Sequence, residues 1–157
     1  MSEREFDVIV YGATGFTGEL VAAYLLEHYG CGGELHWAIA GRSAGKLADL
    51  RDGLGADAAA LEIVVADSDH SDALAELAAR TRVVLTTVGP YALYGSKLVA
   101  ACVAAGTHYC DLAGEVQWIR RMVDKHHERA VETGARIVHC CGFDSIPMDI
   151  GVFFLQQ

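Results

Sequence analysis

Three glycines spaced three residues apart constrain the fold of this chain more than any other feature. They lie in the segment Gly12-Ala13-Thr14-Gly15-Phe16-Thr17-Gly18, directly after the apolar run at 6–11. That run is short and rich in β-branched residues, which predicts a strand over 5–11, and the helical period that follows predicts a helix over 16–29. A glycine at the strand end permits a tight turn, and a glycine in the first helical turn lets the helix lie close to the sheet. The sequence therefore predicts a strand, a glycine-rich turn and a helix at its start.

The same alternation of short apolar runs and longer segments of helical period continues along the 157 residues. It predicts further strands and helices, the strands at 34–40, 62–66, 82–88, 107–111 and 135–141 and the helices at 43–52, 71–80, 94–105 and 115–132. The run Val83-Val84-Leu85 is apolar at consecutive positions, as a parallel strand buried on both faces requires. We predict an α/β fold, a doubly wound, Rossmann-like parallel sheet of about six strands with helices on both faces.

Two of the predicted helices carry apolar stripes at helical spacing. In the first helix the stripe consists of Leu20, Val21, Tyr24 and Leu25. In the helix at 115–132 it consists of Val116, Ile119, Val123 and Ala130. Because a helix of this kind buries its apolar stripe, we expect both sets of side chains to face the sheet.

Composition and charge narrow the range of functions. The net charge is −9 and the pI is about 5.1, so the chain lacks the clustered basic surface that nucleic-acid phosphates require, and we expect no nucleic-acid partner. No uninterrupted apolar stretch of about 18 residues occurs, so we expect no membrane span. Five cysteines, an odd number, and no apolar leader segment favour a reduced, cytoplasmic setting. The histidines and cysteines lack the spacing of a structural zinc site, so we expect no metal.

The position of the glycine segment predicts its ligand. In a turn between the first strand and the first helix, the backbone can approach a pyrophosphate and the helix N-terminus supplies N–H donors. The predicted cofactor-binding residues here are Gly12, Thr14, Gly15, Phe16, Thr17 and Gly18. Because the spacing is G-x-x-G-x-x-G rather than G-x-G-x-x-G, three turn glycines without a ligand are the alternative. The phosphate loop of nucleoside triphosphatases fits less well, because segment 41–47 has the wrong spacing and no Ser or Thr after Lys46.

The end of the second strand predicts which dinucleotide is bound. A cofactor with a free ribose 2′-hydroxyl favours an acidic residue here, but the sequence is Ala40-Gly41-Arg42-Ser43. Arg42 can pair with a 2′-phosphate, and Ser43 and Lys46 add donors, so NADP is the predicted cofactor. The alternative is that Ser43 only caps the next helix and that Arg42 is solvated. Asp67, just past the third strand, either accepts a hydrogen bond from the adenine amine or caps the following helix.

Three further segments follow the later strands, namely Thr86-Thr87-Val88-Gly89-Pro90-Tyr91, Ala105 to Glu115, and Cys141-Gly142-Phe143-Asp144-Ser145-Ile146-Pro147. With the glycine segment and Ala40 to Ser43, they make five motifs in order over essentially the whole chain. Together they resemble the N-terminal domain of saccharopine dehydrogenase-like oxidoreductases, and within that group the trans-acting enoyl reductase branch. The resemblance implies a nicotinamide cofactor, NADPH, and a reduction by hydride transfer. It also implies a second domain that holds a small-molecule or lipid-like substrate.

The segment after the fourth strand lies where open α/β sheets place their ligands. Gly89 lets the backbone approach the cofactor and Pro90 stiffens the turn. We therefore predict that Val88, Gly89 and Pro90 support the ribose or the nicotinamide, with a purely structural turn as the alternative. Four polar residues fall at the same edge of the sheet, where they line the substrate side or act only as helix caps: Asp111, Glu115, Asp144 and Ser145.

Other protein classes share the opening glycines. A short-chain dehydrogenase is excluded, because Tyr91 and Tyr94 do not lie four residues before Lys97, the interval that its chemistry requires. A cysteine-dependent semialdehyde or acyl-phosphate reductase would use Cys141 as its nucleophile, with an inert buried thiol as the alternative. A non-catalytic redox sensor that binds NADP is a third interpretation, and it predicts binding without turnover in the full-length protein.

The last segment predicts a division of the parent protein. Residues 146–157 form an apolar helical run that stops without a partner for its apolar face. We therefore expect a dinucleotide-binding domain at 1–146 and the start of a missing second domain at 147–157, in a chain that is truncated. The isolated chain should then bind NADP without catalysing a reaction, and its exposed end at 150–155 favours a homo-oligomer.

Overall fold

One sheet of six parallel strands forms the centre of the computed structural model, which describes residues 4–157. The strands are β1 Phe6–Tyr11, β2 Trp37–Gly41, β3 Glu62–Val65, β4 Thr81–Thr86, β5 His108–Asp111 and β6 Ile137–Val138. Their order in the sheet is β3-β2-β1-β4-β5-β6, and every neighbouring pair is parallel. The chain thus winds outward from β1 in both directions, which confirms the predicted doubly wound fold.

Residues 4–157 also form six α-helices and one 3-10 turn at Ala56–Ala58. The helices are α1 Phe16–Tyr29, α2 Ala44–Gly53, α3 Ser71–Arg80, α4 Tyr91–Ala105, α5 Val116–Thr133 and α6 Ile146–Leu155. Helices α1 and α2 cover one face of the sheet, where Ala22 and Leu47 pack with Ile39 of β2. Helices α3, α4 and α5 cover the other face, where side chains from all three surround the strands: Leu74, Leu98 and Trp118.

Several boundaries differ from the sequence-based prediction: β2 begins at Trp37 rather than at 34 and β4 ends at Thr86 rather than at 88, and the changes at α4 and β6 have a visible cause. Helix α4 begins at Tyr91 rather than at 94, because Pro90 sits at its N-cap with a φ of −62° and an acceptor from a distant residue binds its first amides. Strand β6 covers only Ile137–Val138 rather than 135–141. It ends early because Cys140 has a φ of +62°, in the left-handed region, so the backbone leaves the extended conformation there.

The predicted apolar stripes were only partly right. In α1 the side chains of Leu20 and Tyr24 are 58% and 55% exposed, whereas Gly18 and Ala22 are buried against the sheet. The predicted Val21 and Leu25 pack against the core and are partly buried, and the close approach of the helix at Gly18 leaves only small residues fully buried. In α5 the predicted Ala130 is buried and Ile119 packs against the core, but Val116 and Val123 are exposed, and Trp118 and Met122 are buried in addition.

Arg4 links the C-terminal ends of two helices on the same face of the sheet. Its guanidinium donates hydrogen bonds to Ala78 O (3.3 Å) and Ala79 O in α3, and to Ala105 O (2.6 Å) in α4. The last carbonyls of a helix lack an intrahelical partner and carry partial negative charge, so a cation that bonds to them stabilises both helix ends.

Replacing Arg4 by alanine should lower the free energy of unfolding by about 1–2 kcal/mol, because partly buried carbonyls lose a charged donor. Urea denaturation of both proteins measures this difference. Arg121→Ala is the matched control, since Arg121 is exposed on α5 and forms no ion pair within residues 4–157; its effect should stay below about 0.5 kcal/mol. Equal losses in the two variants would contradict the capping role of Arg4.

Candidate functional site

The carboxyl ends of the six parallel strands meet at one edge of the sheet, and most of the predicted site residues follow these ends. The connection after β1 leads to α1 on one face, whereas the connection after β4 leads to α4 on the opposite face. Because β1 and β4 are neighbours in the sheet, their diverging connections open a crevice between them. Such a switch point is where open α/β sheets bind their ligands.

The loops after β1 and β4 contact each other directly. Thr87 donates hydrogen bonds from its hydroxyl to Gly12 O (3.1 Å) and from its amide to Tyr11 O (3.0 Å). Gly12 has a φ of +91°, and a Cβ atom built on it would lie 2.6 Å from the side chain of Val88. The amide of Gly12 also donates to Ala40 O (2.8 Å) in β2. Gly12 is therefore a glycine both for its backbone conformation and for the approach of the two loops.

The other two glycines of the segment differ in what surrounds them. A Cβ atom on Gly18 would lie 2.7 Å from the Cα atom of Ala13, so the contact between α1 and its own turn requires a glycine there. A Cβ atom on Gly15 would meet nothing closer than Gly12 O, at 3.4 Å, and the φ and ψ of Gly15 (−91° and 162°) suit any residue. The fold therefore accounts for glycine at position 18 but leaves open space in front of position 15.

The first turn of α1 presents unpaired amide groups to that open space. Gly15 is the N-cap of α1 and has no side chain to accept a hydrogen bond. Within residues 4–157 the amides of Phe16, Thr17 and Gly18 find no acceptor, whereas Glu19 N donates to Gly15 O (2.9 Å). Three free N–H groups at the positive end of a helix form a site for an anion. The predicted residues Thr14, Gly15, Phe16, Thr17 and Gly18 thus form the turn and the first helical residues around these amides.

Arg42, Ser43 and Lys46 lie at the neighbouring end of β2. Ser43 is the N-cap of α2, and its hydroxyl accepts a hydrogen bond from Lys46 N (3.4 Å), so the capping alternative holds for Ser43. Arg42 is exposed and forms no ion pair within the part of the chain that the structure describes. The side chain of Lys46 lies with Thr14 beside a groove of about 680 Å³ between α1 and α2. Among the described residues, Arg42 and Lys46 are therefore two cations without an ion-pair partner, both just after β2.

Asp67 lies at the end of β3, on the same side of the site as Arg42. Burial, reinforced by the carboxylate of Asp67, raises the pKa of Tyr11 to about 12, while the charge of Arg42 acts in the opposite direction on the same hydroxyl. Both charges therefore lie near the end of β1. Asp67 Oδ1 accepts a hydrogen bond from Asp69 N (3.0 Å), which holds the turn before α3. The N-cap of α3 is His70, so Asp67 does not cap that helix.

Val88, Gly89 and Pro90 connect β4 to α4 and form the opposite wall of the crevice. Val88 N donates to the hydroxyl of Thr86 (3.2 Å), and the Gly89–Pro90 peptide is cis. Gly89 and Pro90 are exposed. Pro90 O accepts hydrogen bonds from the amides of Leu93 and Tyr94 at 3.2 and 3.1 Å. The predicted segment therefore lies beside the glycine turn with its exposed backbone toward the crevice rim.

Asp111, predicted at the substrate side, instead holds the ends of β5 and β6 together. Its side chain is fully buried and accepts four hydrogen bonds, from Tyr109 Oη (2.8 Å), His139 Nδ1 (2.7 Å), Ala113 N (3.0 Å) and Cys140 N (3.2 Å). The side chain of His139 is only 8% exposed. All four donors are groups of the protein itself, so Asp111 holds this part of the sheet edge in place. No local pattern predicts its pairing with His139, which lies 28 residues away.

The other three predicted polar residues are Glu115, Asp144 and Ser145, and only Glu115 binds another helix with its side chain. Glu115 directs its carboxylate at the first amides of α4, a contact that sequence reasoning missed. The available signal was the absence of a Ser, Thr, Asp or Asn cap before the helix, which implies an acceptor from elsewhere. Ser145 is the N-cap of α6 without a side-chain bond, and Asp144 is exposed. Glu115 is therefore a structural partner of α4, while Asp144 and Ser145 lie beside α6.

Two cysteines near this edge, Cys110 and Cys141, have thiols with a raised pKa. Burial, with a smaller contribution from the carboxylate of Asp111, raises the pKa of Cys141, and burial raises the pKa of Cys110 to about 11. The Cys140 thiol donates to Ala113 O (3.0 Å). A nucleophilic cysteine needs a lowered thiol pKa, so these surroundings oppose the interpretation of Cys141 as a nucleophile.

Within residues 4–157, no three His, Cys, Asp or Glu side chains lie close enough together to share a metal ion. In the same residues, none of the helices combines the length and the apolar character needed to cross a membrane.

The site combines a glycine turn at a switch point with unpaired amides in the first turn of α1, and Arg42 follows the neighbouring strand. These features define a dinucleotide-binding Rossmann domain. The chain belongs to the family described as the saccharopine dehydrogenase NADP binding domain, whose model matches residues 8–138. This membership confirms the predicted resemblance and NADP as the cofactor of the domain.

A curated relative is similar over nearly the whole chain, and two solved structures share the fold. A trans-acting enoyl reductase of Mycobacterium bovis is 50% identical over 156 residues, which cover 99% of this chain and 37% of that protein. The chain thus spans little more than a third of such relatives. Apo saccharopine dehydrogenase (L-Glu forming) of Saccharomyces cerevisiae shares the fold at 18% identity with a TM-score of 0.71, over 89% of this chain and 28% of that one. Citrobacter sp. triphenylmethane reductase complexed with NADP(H) does so at 20% identity with a TM-score of 0.60, over 85% and 48%.

The difference between Gly15 and Gly18 gives a paired test. Gly18→Ala should lower the free energy of unfolding by about 1–3 kcal/mol, because the new methyl group meets backbone atoms. Gly15→Ala should lower it by no more than about 1 kcal/mol, the cost of alanine at an N-cap, and should still weaken NADP⁺ binding, because its methyl group enters the open space. Chemical denaturation and isothermal titration calorimetry measure the two effects. Unchanged NADP⁺ affinity in a folded Gly15→Ala variant would contradict the assignment of this space to the cofactor.

Thiol reactivity tests the state of Cys141. At pH 7.5, iodoacetamide should modify Cys141 at least about tenfold more slowly than N-acetylcysteine, since a raised pKa leaves less thiolate and burial limits access. The rate should increase as the pH rises above 9, where more of the thiol ionises. Mass spectrometry of the alkylated peptides reports the rate at each cysteine. Faster modification than the reference thiol would favour a cysteine-dependent reductase.

Proposed function

We propose that NADP lies across the carboxyl edge of the sheet, with its pyrophosphate over Gly15 and the first turn of α1. The main support for this proposal is the environment of Gly15. The fold leaves the space in front of this glycine open, and three unpaired amides point to the same place. A diphosphate fits both features, because it needs close backbone approach and N–H donors in place of a counter-ion.

The adenosine half of the cofactor then lies over the ends of β2 and β3. Arg42 pairs with the 2′-phosphate, and Ser43 and Lys46 supply further donors, because all three follow β2 and Arg42 has no competing carboxylate partner in residues 4–157. Asp67 accepts a hydrogen bond from the adenine amine. Its Oδ1 already receives Asp69 N, and its Oδ2 has no partner in the described chain.

The nicotinamide half lies beside Val88, Gly89 and Pro90, on the other side of the crevice. This placement follows from the contact between Gly12 and the loop after β4, which puts that loop next to the pyrophosphate position. The exposed backbone at Gly89 leaves room for a ring to approach. When bound, NADPH supplies a hydride, and the residues of this chain hold and orient it.

We further propose that the whole protein is an NADPH-dependent reductase of a small, lipid-like enoyl substrate. The support is the 50% identity to trans-acting enoyl reductases, together with the family match. Because such relatives are much longer, we propose that 1–146 form the dinucleotide-binding domain and that 147–157 begin a second, substrate-binding domain. Residues 1–157 alone should bind NADP without turnover.

Two further features belong to this proposal. The large apolar side chains of α6 are all at least 41% exposed, which supports packing of this helix against the second domain or against another copy in a homo-oligomer. All five cysteines are free thiols, which supports a cytoplasmic location.

Replacing Arg42 by alanine tests the NADP assignment. The variant should bind NADP⁺ more weakly by about 1–3 kcal/mol, the value of a charge-assisted hydrogen bond, and should bind NAD⁺ as the wild type does. Calorimetric titration with both dinucleotides measures the difference. Arg121→Ala, which removes the same charge from an exposed position on α5, should alter neither affinity. A wild type that prefers NAD⁺ would rule out the proposed role of Arg42.

A further inference from the structure

Glu115 closes the N-terminus of a helix to which it does not belong. It lies at the start of α5, yet its carboxylate accepts hydrogen bonds from the first two amides of α4. Oε1 receives Tyr91 N at 2.6 Å and Oε2 receives Ala92 N at 2.8 Å. One carboxylate thus binds two adjacent helix-terminal donors, which is a strong arrangement because the acceptor is charged and helix N-termini attract negative charge.

All four initial amides of α4 therefore have acceptors. Those of Leu93 and Tyr94 donate to Pro90 O, and the two before them donate to Glu115. The first turn of α1 is the opposite case, because its N-cap is Gly15 and its amides are free. Of the two helix N-termini that flank the crevice, only that of α1 can receive a phosphate. Glu115 thereby supplies the negative charge that α4 would otherwise take from a ligand.

The contact also connects α5 to the wall of the crevice. Tyr91, whose amide bonds to Glu115, follows Pro90 directly, and its hydroxyl donates to Thr86 O (3.2 Å) and accepts from Leu112 N (3.4 Å). The short segment between Thr86 and Tyr91 is thus held at both ends. Within it, Val88 packs against Gly12 of the glycine turn. Loss of the Glu115 contact would leave this end held only through the side chain of Tyr91, with its backbone amide unpaired.

We propose that Glu115 is a positioning residue for the nicotinamide half of the cofactor. It fixes Val88, Gly89 and Pro90 in the conformation that forms one wall of the crevice, and it does so without touching the ligand. This inference rests on the proposed binding of NADP across the carboxyl edge. Glu115 has no such role for the adenosine half of the cofactor, because that half is proposed to lie over β2 and β3, on the far side of the glycine turn.

Glu115→Gln tests the proposal, because glutamine keeps the shape of the side chain but offers only one acceptor oxygen and turns an N–H group toward the second amide. Calorimetric titrations compare NADP⁺ with adenosine 2′,5′-bisphosphate, which carries adenine and the 2′-phosphate but no nicotinamide. We expect the variant to bind NADP⁺ about tenfold more weakly and to bind adenosine 2′,5′-bisphosphate within about twofold of the wild type. Glu128→Gln, an exposed position on α5, is the matched control and should change neither value.

The outcomes separate this inference from the proposed function. If both ligands weaken equally, Glu115 acts only on the stability of the domain, and if neither weakens, it has no positioning role; either result overturns the inference. A wild type that binds neither ligand would instead refute the proposed function. Should Glu115→Gln not fold, Glu115→Asp keeps two carboxylate oxygens on a shorter side chain, and the same ratio of affinities decides.

Discussion

The close approach of two loops at the centre of the sheet is the constraint on which the whole carboxyl edge depends. Gly12 leaves room for the side chain of Val88, and Thr87 bonds back to the end of β1, so the loops after β1 and β4 meet without a gap. Helices α1 and α4 start a few residues beyond this contact, and their N-termini are placed by it. Both halves of the proposed cofactor site therefore depend on the absence of a side chain at Gly12.

The order and type of the elements could be predicted from the sequence, because hydrophobic period is a local property of each segment. What the sequence did not show was how deeply each element packs. Leu20 and Tyr24 looked like core residues, yet the contact at Gly18 brings α1 so near the sheet that Ala22 takes their place. The early end of β6 likewise depends on a left-handed Cys140 whose amide bonds to a side chain 29 residues away.

The candidate site also contains residues that a local pattern predicts and residues whose partners are distant in the sequence. The glycine turn and Arg42 were predictable, since a turn, a helix start and a strand end each have a local pattern. The partners that shape the rest of the edge were not, because they meet only in the folded sheet. Glu115 lies 24 residues from the amide of Tyr91, and Asp111 lies 28 residues from His139. Both carboxylates were expected either to line the substrate side or to cap a helix, and both bind the protein's own donors, Glu115 at the N-terminus of α4 rather than of its own helix.

The surroundings of Asp111 have a consequence for how the outer part of the sheet opens. One carboxylate holds a tyrosine, a histidine and two amides, and its own backbone carbonyl receives the amide of Cys141 at 2.7 Å. None of these contacts can be given up alone without leaving a buried charge with fewer donors, which is costly. The ends of β5 and β6 and the turn that follows should hence lose their order in concert, as a single cooperative unit whose amides share one free energy of opening in hydrogen exchange.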